Sequence, residues 1–327
     1  MNSAPLSFLC VGSATQDVYL SNVDHLNPVC VNPEECFYNV RLGDKIYVNH
    51  VDYQTGGGAS NAATTFARGG QLVTFMGKIG HDPAGAAVLK SFATEGIDYA
   101  AMAYSDDHNT DYSTLLLAPN GERTILTYRG CGMYFTPEDF DFTKLNRQVD
   151  WIYLTSLVGN FTIYDKVMQY ARANHCKIAF NPGGRELEHP DQLKALLPNV
   201  EILSVNKQEA QQIVSGDTLE DLARELRKLC PVVIITDGAN GALVVDRERA
   251  LRAGLYKGEE MSVDRTGAGD AFCSGFTLRY ALGDKLEDAI LFAAANSSSV
   301  IQHVGAKPGI LRGRPELEPL ATKPVTL

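Results

Sequence analysis

The chain has 327 residues, of which 45% are hydrophobic and 21% charged, and it carries a net charge of −10. That length and composition belong to a globular protein with a sizeable core, one large α/β domain or a core plus a smaller unit. The acidic balance excludes a general nucleic-acid binder, which needs clustered Lys and Arg against the phosphate backbone, but leaves room for a small phosphate ligand held by local donors.

In chain order, Ser7–Val11 reads as a first strand. Asp17 follows it in Gly12-Ser13-Ala14-Thr15-Gln16-Asp17, just past the strand's carboxyl end, where a carboxylate can accept hydrogen bonds from a polyol or be an ordinary loop acid. The segment His25–Asn39 is punctuated by Asn27-Pro28 and Asn32-Pro33 and is assigned no regular structure. Val40–Gln54 and Met102–Tyr128 interleave β-branched and aromatic residues with polar ones, and Asn120-Gly121 gives a hairpin turn between Leu115–Ala118 and Thr124–Tyr128. Both stretches read as antiparallel strands of a small flap over the carboxyl edge of a larger sheet, the edge where α/β proteins bind ligands.

Between them, Gly56-Gly57-Gly58-Ala59-Ser60-Asn61 precedes a helical pattern over Asn61–Arg68. Three glycines allow close backbone approach by a ligand, with Asn61 offering a donor and an acceptor to hydroxyls. The same residues also suit a hinge capped by Ser60 or Asn61. Further strands are expected at Val73–Met76, Ile152–Leu154, Lys177–Phe180, Glu201–Val205 and Val232–Thr236. Helices are expected over Ala84–Thr94, Thr162–Ala173, Gln208–Val214 and Leu219–Leu229. This alternation predicts a parallel sheet covered by helices on both faces.

Asn206-Lys207-Gln208-Glu209 opens the helix after Val205 with the spacing of a capping box, and the same pair can serve Mg²⁺ and its waters beside phosphates. Thr236-Asp237-Gly238-Ala239-Asn240-Gly241 reads as a strand and tight turn. Asp264-Arg265-Thr266-Gly267-Ala268-Gly269-Asp270-Ala271-Phe272 sets a Gly-rich anion cradle against a carboxylate at the start of an apolar helical run. An acid there can take a proton from a group attacking a bound phosphoryl. The bland alternative is a turn followed by Asp270 as a helix N-cap. After Pro315 the chain is Pro-rich and is expected to trail over the surface.

The seven cysteines include no C-x-x-C pair. Cys30 and Cys36, with five residues between them, have no His or Cys cluster beside them, so neither a zinc site nor a disulfide framework is expected. Free thiols, with no basic-then-apolar leader and no apolar run of about 18 residues, predict a cytoplasmic protein without a membrane segment. No G-x-x-x-x-G-K-[ST] loop occurs, since Gly77-Lys78 is followed by Ile79. The protein-kinase signatures, the dinucleotide G-x-G-x-x-G and the G-x-S-x-G elbow are also missing.

Taken together, Gly56–Asn61, then Gly77-Lys78-Ile79-Gly80-His81-Asp82-Pro83-Ala84-Gly85, then Asn206–Glu209, Thr236–Gly241 and Asp264–Gly275 resemble, in order, the ribokinase/PfkB family of small-molecule kinases over nearly the whole chain. The resemblance implies a single kinase domain, a three-layer α/β/α core with a mainly parallel sheet and a small β-sheet lid formed by segments 17–54 and 100–128. It implies ATP- and Mg²⁺-dependent phosphorylation of a hydroxymethyl group on a sugar, with an adenosine-like ribonucleoside as the alternative acceptor. Carried over, Asp270 is the general base and the backbone of Gly267, Ala268 and Gly269 is the anion hole. Asn206 and Glu209 organise Mg²⁺ and the phosphates, Glu209 through water; Thr236, Gly238 and Gly241 line the ATP site, and Asn296 borders the adenine. Asp17, Gly56, Gly57 and Asn61 hold the substrate. Many members also bind a monovalent cation such as K⁺, at positions matched here by Asp264, Thr266 and the loop at Gly305-Ala306. A lid of this kind often clasps a homodimer, and a homodimer is expected.

The chain departs from the ribokinase pattern at Arg265, where Thr or Ser is usual, at Gly58, where a Lys is found, and at Leu154-Thr155-Ser156-Leu157, which lacks an acidic residue. A nucleoside acceptor would need an aromatic slot, for which Tyr19, Tyr104, Tyr112 and Phe135 are the candidates, although aromatics there also suit ordinary packing.

Overall fold

The computed structural model describes residues 4–23, 28–32, 35–118, 123–257 and 262–327. The chain opens with β1 (Ser7–Val11), β2 (Thr15–Val23), β3 (Val29–Asn32), β4 (Glu35–Phe37) and β5 (Val48–Gly56). Then come α1 (Gly58–Arg68), β6 (Leu72–Met76), β7 (Lys78–Gly80), α2 (Pro83–Glu95), β8 (Ala103–Ser105), β9 (Asp111–Leu117) and β10 (Arg123–Tyr128). In the middle of the chain each strand is followed by one or two helices: β11 (Trp151–Leu154), α3 (Phe161–Asn174), β12 (Lys177–Phe180), α4 (Gly184–Leu187), α5 (Pro190–Leu196), β13 (Ile202–Asn206), α6 (Lys207–Ile213), α7 (Leu219–Leu226) and β14 (Val232–Thr236). It closes with β15 (Ala242–Val245), β16 (Ala250–Ala253), α8 (Ala268–Ala281), α9 (Leu286–Val300) and β17 (Thr322–Pro324).

A nine-stranded sheet runs in the order β17-β16-β15-β14-β13-β12-β11-β1-β6. The strands from β6 to β14 pair in parallel, and the last three pairings are antiparallel. Its central strands are buried on both faces, which is why they read as unbroken apolar runs. Along β1 the two-residue period divides the core. Phe8 and Cys10 join Phe66 of α1, Phe92 of α2 and Phe276 of α8, while Leu9 and Val11 join Val167 of α3 and Leu222 of α7. The result is an α/β fold with helices on both faces of a mostly parallel sheet.

A second sheet has four strands in the order β10-β9-β2-β5. β2 falls largely in segment 17–54, although the residue pattern around Asp17 gives no strand by itself; it pairs antiparallel with β5 and parallel with β9. Asn120-Gly121 lies outside the described residues, but β9 and β10 on either side pair antiparallel, Arg123 opposite Leu117. Of Val40–Gln54, only the part from Val48 onward is strand. The two edge strands β5 and β10 expose large apolar side chains, Tyr53 by 68% and Leu126 by 60%.

Three further expectations are corrected. Within 25–39, β3 and β4 form a short antiparallel pair that sets Cys30 opposite Cys36, and a disulfide joins them. The strands are three and four residues long, too short for a period to register. Cys10, Cys131, Cys176, Cys230 and Cys273 are free thiols. The Pro-rich tail does not simply trail: β17 adds an edge strand to β16, with Thr322 opposite Ala253. Among the described residues no helix is long and apolar enough to cross a membrane.

Candidate active site

Parallel strands end on one edge of the large sheet, and the loops leaving that edge carry most of the singled-out residues. Asn206 ends β13 and Thr236 ends β14, directly opposite each other in register. Asn206 Oδ1 accepts from Glu209 N–H at 2.8 Å, and Glu209 Oε2 accepts from Asn206 N–H at 2.8 Å, so the capping box exists and fixes both side chains at the start of α6. Burial pushes the Glu209 carboxyl up, and the nearby Asp270 charge pushes it further.

Asp270 is the third residue of α8, whose N-cap is Gly267 in the left-handed region at φ 77° and ψ 2°. Burial raises the Asp270 carboxyl above its usual range. The Asn61 amide opposes that shift, its Nδ2 donating to Asp270 Oδ2 at 2.8 Å across a sequence gap of 209 residues. The first N–H groups of α8 remain available: Gly269 and Asp270 have no acceptor among the described residues, and Ala268 N–H reaches the Arg265 carbonyl only at 3.4 Å. They open onto a cleft lined by Thr236, Gly238, Gly241, Ala268, Gly269 and Ser297. Donors at a helix N-terminus facing such a cleft suit an anion. Asp270 and Glu209, close enough for the charge of one to raise the carboxyl of the other, suit a cation arriving with that anion.

Asn296 lies elsewhere. It is fully buried beneath the cleft, its Nδ2 donating to the Ala271 carbonyl at 2.8 Å and its Oδ1 accepting from Leu311 N–H at 2.9 Å, while its neighbours Ser297 and Ser298 line the cleft. Asp17 is 7% exposed, and Thr15 Oγ1 donates to its Oδ1 at 3.0 Å. The opposing strand passes so close that a Cβ on Gly56 would overlap Asp17 Oδ2, which is why this position takes glycine. Asp264 is wholly buried. Its Oδ1 accepts from Thr266 N–H at 2.9 Å and Thr266 Oγ1 at 2.7 Å, and its Oδ2 accepts from Gly305 N–H at 3.0 Å. Of the four aromatic candidates, Tyr104 stacks on His81, Phe135 packs edge-on to Phe140 in the core, and Tyr19 is fully buried.

Two charged residues near the site carried no signal in the sequence. Arg123, beside a turn dipeptide, lies with its Nε 3.8 Å from Asp264 Oδ1. Lys307, in Gly305-Ala306-Lys307-Pro308, is 5% exposed; its Nζ donates to Thr55 Oγ1 at 2.8 Å and Ser60 Oγ at 2.6 Å, tying the end of β5 to the start of α1. Burial pulls its ammonium down to about 7, with Asp17 and Glu95 opposing and Arg68 assisting. Between pH 7 and 10 the unfolded chain therefore holds a proton that the folded chain has released, so stability gains as pH rises, by up to about 1.4 kcal/mol per pH unit. Tyr and Cys groups titrate in the same range, but subtracting a Lys307→Met variant isolates this residue. Denaturant unfolding should show the wild type gaining about 2 kcal/mol on the variant from pH 7 to 9. A flat difference would mean that Lys307 stays charged in the fold.

Among known proteins, the model of the pfkB family of carbohydrate kinases matches residues 9–311. A ribokinase from Arabidopsis thaliana is 24% identical over 313 residues, covering 92% of this chain and 77% of that protein. The solved structure of Arabidopsis thaliana ribokinase complexed with ribose and ATP superposes with a TM-score of 0.77 at 22% identity, over 95% of this chain and 96% of that one. The adenosine kinase from Sinorhizobium meliloti superposes equally well, with a TM-score of 0.77 at 21% identity over 93% and 96% of the two chains. At these identities the structural likeness concerns the fold.

Proposed function

The chain belongs to the pfkB family of carbohydrate kinases, and from that premise we propose that it transfers the γ-phosphoryl group of ATP to a hydroxymethyl group of a small sugar. The observation that carries the reading is the buried Asp270, held at 2.8 Å by Asn61 from the Gly56–Asn61 side and adjoining the free N–H groups of α8. Acceptor and donor thus meet at one carboxylate.

Phosphoryl transfer needs positioning and charge stabilisation more than covalent chemistry by the protein. Asp270 takes the proton of the attacking hydroxyl as its oxygen bonds to phosphorus and the bond from phosphorus to the bridging oxygen of ADP breaks. A carboxyl raised by burial is a better proton acceptor than an exposed one, and the hydrogen bond from Asn61 favours its ionised form. The N–H groups of Gly267, Ala268 and Gly269 receive the developing charge. Glu209 and Asn206 would hold Mg²⁺ through its waters, and the ion would neutralise phosphate charge. Asp17 and Asn61 orient the sugar hydroxyls, while the four-stranded sheet acts as a lid that excludes water and idle hydrolysis.

A ribonucleoside acceptor is the second reading, favoured by the adenosine kinase likeness and disfavoured by the burial of Tyr19 and Phe135, whose rings are taken up in packing. Assaying Mg²⁺-dependent ADP release with pentoses, hexoses, sugar phosphates and nucleosides separates the two. Turnover of a free pentose or hexose is expected. Preference for a nucleoside by tenfold or more in kcat/KM would replace the sugar reading, and tight binding without turnover would remove the kinase reading altogether.

A further inference from the structure

Asp264 and Thr266 match the position where a monovalent cation would bind, but their surroundings do not fit one. The Asp264 oxygens accept from three neutral donors, Thr266 N–H, Thr266 Oγ1 and Gly305 N–H, which leave the carboxylate's charge unbalanced. Arg123 then brings a full positive charge to 3.8 Å from Oδ1. That guanidinium comes from β10, the edge strand of the small sheet, 141 residues away in sequence. Its Nε is buried and has no hydrogen-bond partner among the described residues. Tyr19 of β2 is fully buried beside the same carboxylate, and the Asp264 charge helps push its hydroxyl pKa up. A buried carboxylate with only neutral donors would be costly, and a permanent cation on a short tether removes the need for a diffusible one.

We propose that Arg123 takes the place of a monovalent cation at Asp264, so that catalysis is independent of K⁺ and the lid is tied to the loop that shapes the anion hole. This inference rests on the kinase reading above and assigns Arg123 as a positioning residue. Asp264 contacts Gly305 and Thr266, and Thr266 precedes Gly267. The orientation of the α8 N–H groups thus depends on a charge supplied by the lid.

The test compares wild type, Arg123→Met, which keeps an apolar stem without charge, and Arg123→Lys. Each is measured in 100 mM KCl and in 100 mM tetramethylammonium chloride, at about one ionic strength. For wild type, the melting temperature and kcat should agree between the salts to within about 1 °C and twofold. Arg123→Met should melt lower and regain about 2 °C or more in KCl only, as expected when an ion binds the folded state alone, with kcat activated about fivefold or more by KCl. Arg123→Lys should behave as wild type. A K⁺-specific response in wild type, or none in Arg123→Met, or one in Arg123→Lys, would overturn the proposal. The melting measurements need no substrate, so a failed kinase reading leaves them decisive.

Discussion

Asp270→Asn is expected to lower kcat by about 10³-fold while leaving nucleotide affinity within a few-fold. The amide matches the carboxylate in shape and can still present an oxygen to Asn61 Nδ2, so the joint between α1 and α8 survives. Nor should the fold suffer. Burial raises the Asp270 carboxyl, so holding it ionised costs the folded protein stability, and a neutral amide removes that cost. Lost turnover without lost stability distinguishes a missing base from a damaged site. The pH profile gives a second readout. Because the group must be ionised to act, kcat/KM falls as pH drops through its raised pKa. Asn61 opposes that rise, so Asn61→Leu should move the acid limb to higher pH. Turnover of Asp270→Asn within tenfold of wild type, or an acid limb unmoved in Asn61→Leu, would place the base elsewhere.

The alternation of the large sheet is legible in the sequence because each central strand is buried on both faces. Lys177–Phe180 and Val232–Thr236 end as strands at the residues where their apolar runs end. The capping box at Asn206 and Glu209 is legible for a similar reason, being a bond between residues three apart. What stays hidden joins segments far apart, where no local period can register. β2 is held by β5 and β9, and its burial is only partial, so the pattern of Thr15–Val23 gives no strand by itself and only the family resemblance implies sheet from about residue 17. Lys307 meets Thr55 across 252 residues, and a lone Lys between Ala and Pro gives no sign of burial. Asn61 and Asp270 were each legible as candidates, but that one holds the other depends on the packing of α1 against α8. Asn296 shows the converse. Only the family resemblance implies a place for it beside the adenine; the period of α9 turns its side chain inward and leaves Ser297 and Ser298 at the opening.

The backbone at Gly267 admits an equally specific expectation. At φ 77° a side chain meets its own backbone, at a cost of about 1 kcal/mol or more. In this fold it also meets the neighbouring loop: a Cβ at Gly267 would overlap the Ala306 Cβ and lie 2.9 Å from its Cα. Neither side can yield cheaply, since Gly305 N–H is bonded to Asp264 and Ala271 N–H to the Gly267 carbonyl at 2.8 Å. Gly267→Ala must therefore move the start of α8, and with it the donors of the anion hole. Since one such donor is worth about 10²–10³ in kcat, a fall of about 10²-fold is expected, with the KM for the acceptor nearly unchanged. Gly269→Ala is the control, because no heavy atom lies within 4 Å of its would-be Cβ and the helix welcomes Ala. That variant keeps every N–H in place and puts a methyl group into the cleft, so it should raise the KM for ATP and spare kcat. If both variants behaved alike, the cleft would be sensitive to bulk alone, and the left-handed turn at Gly267 would have no part in setting the donors.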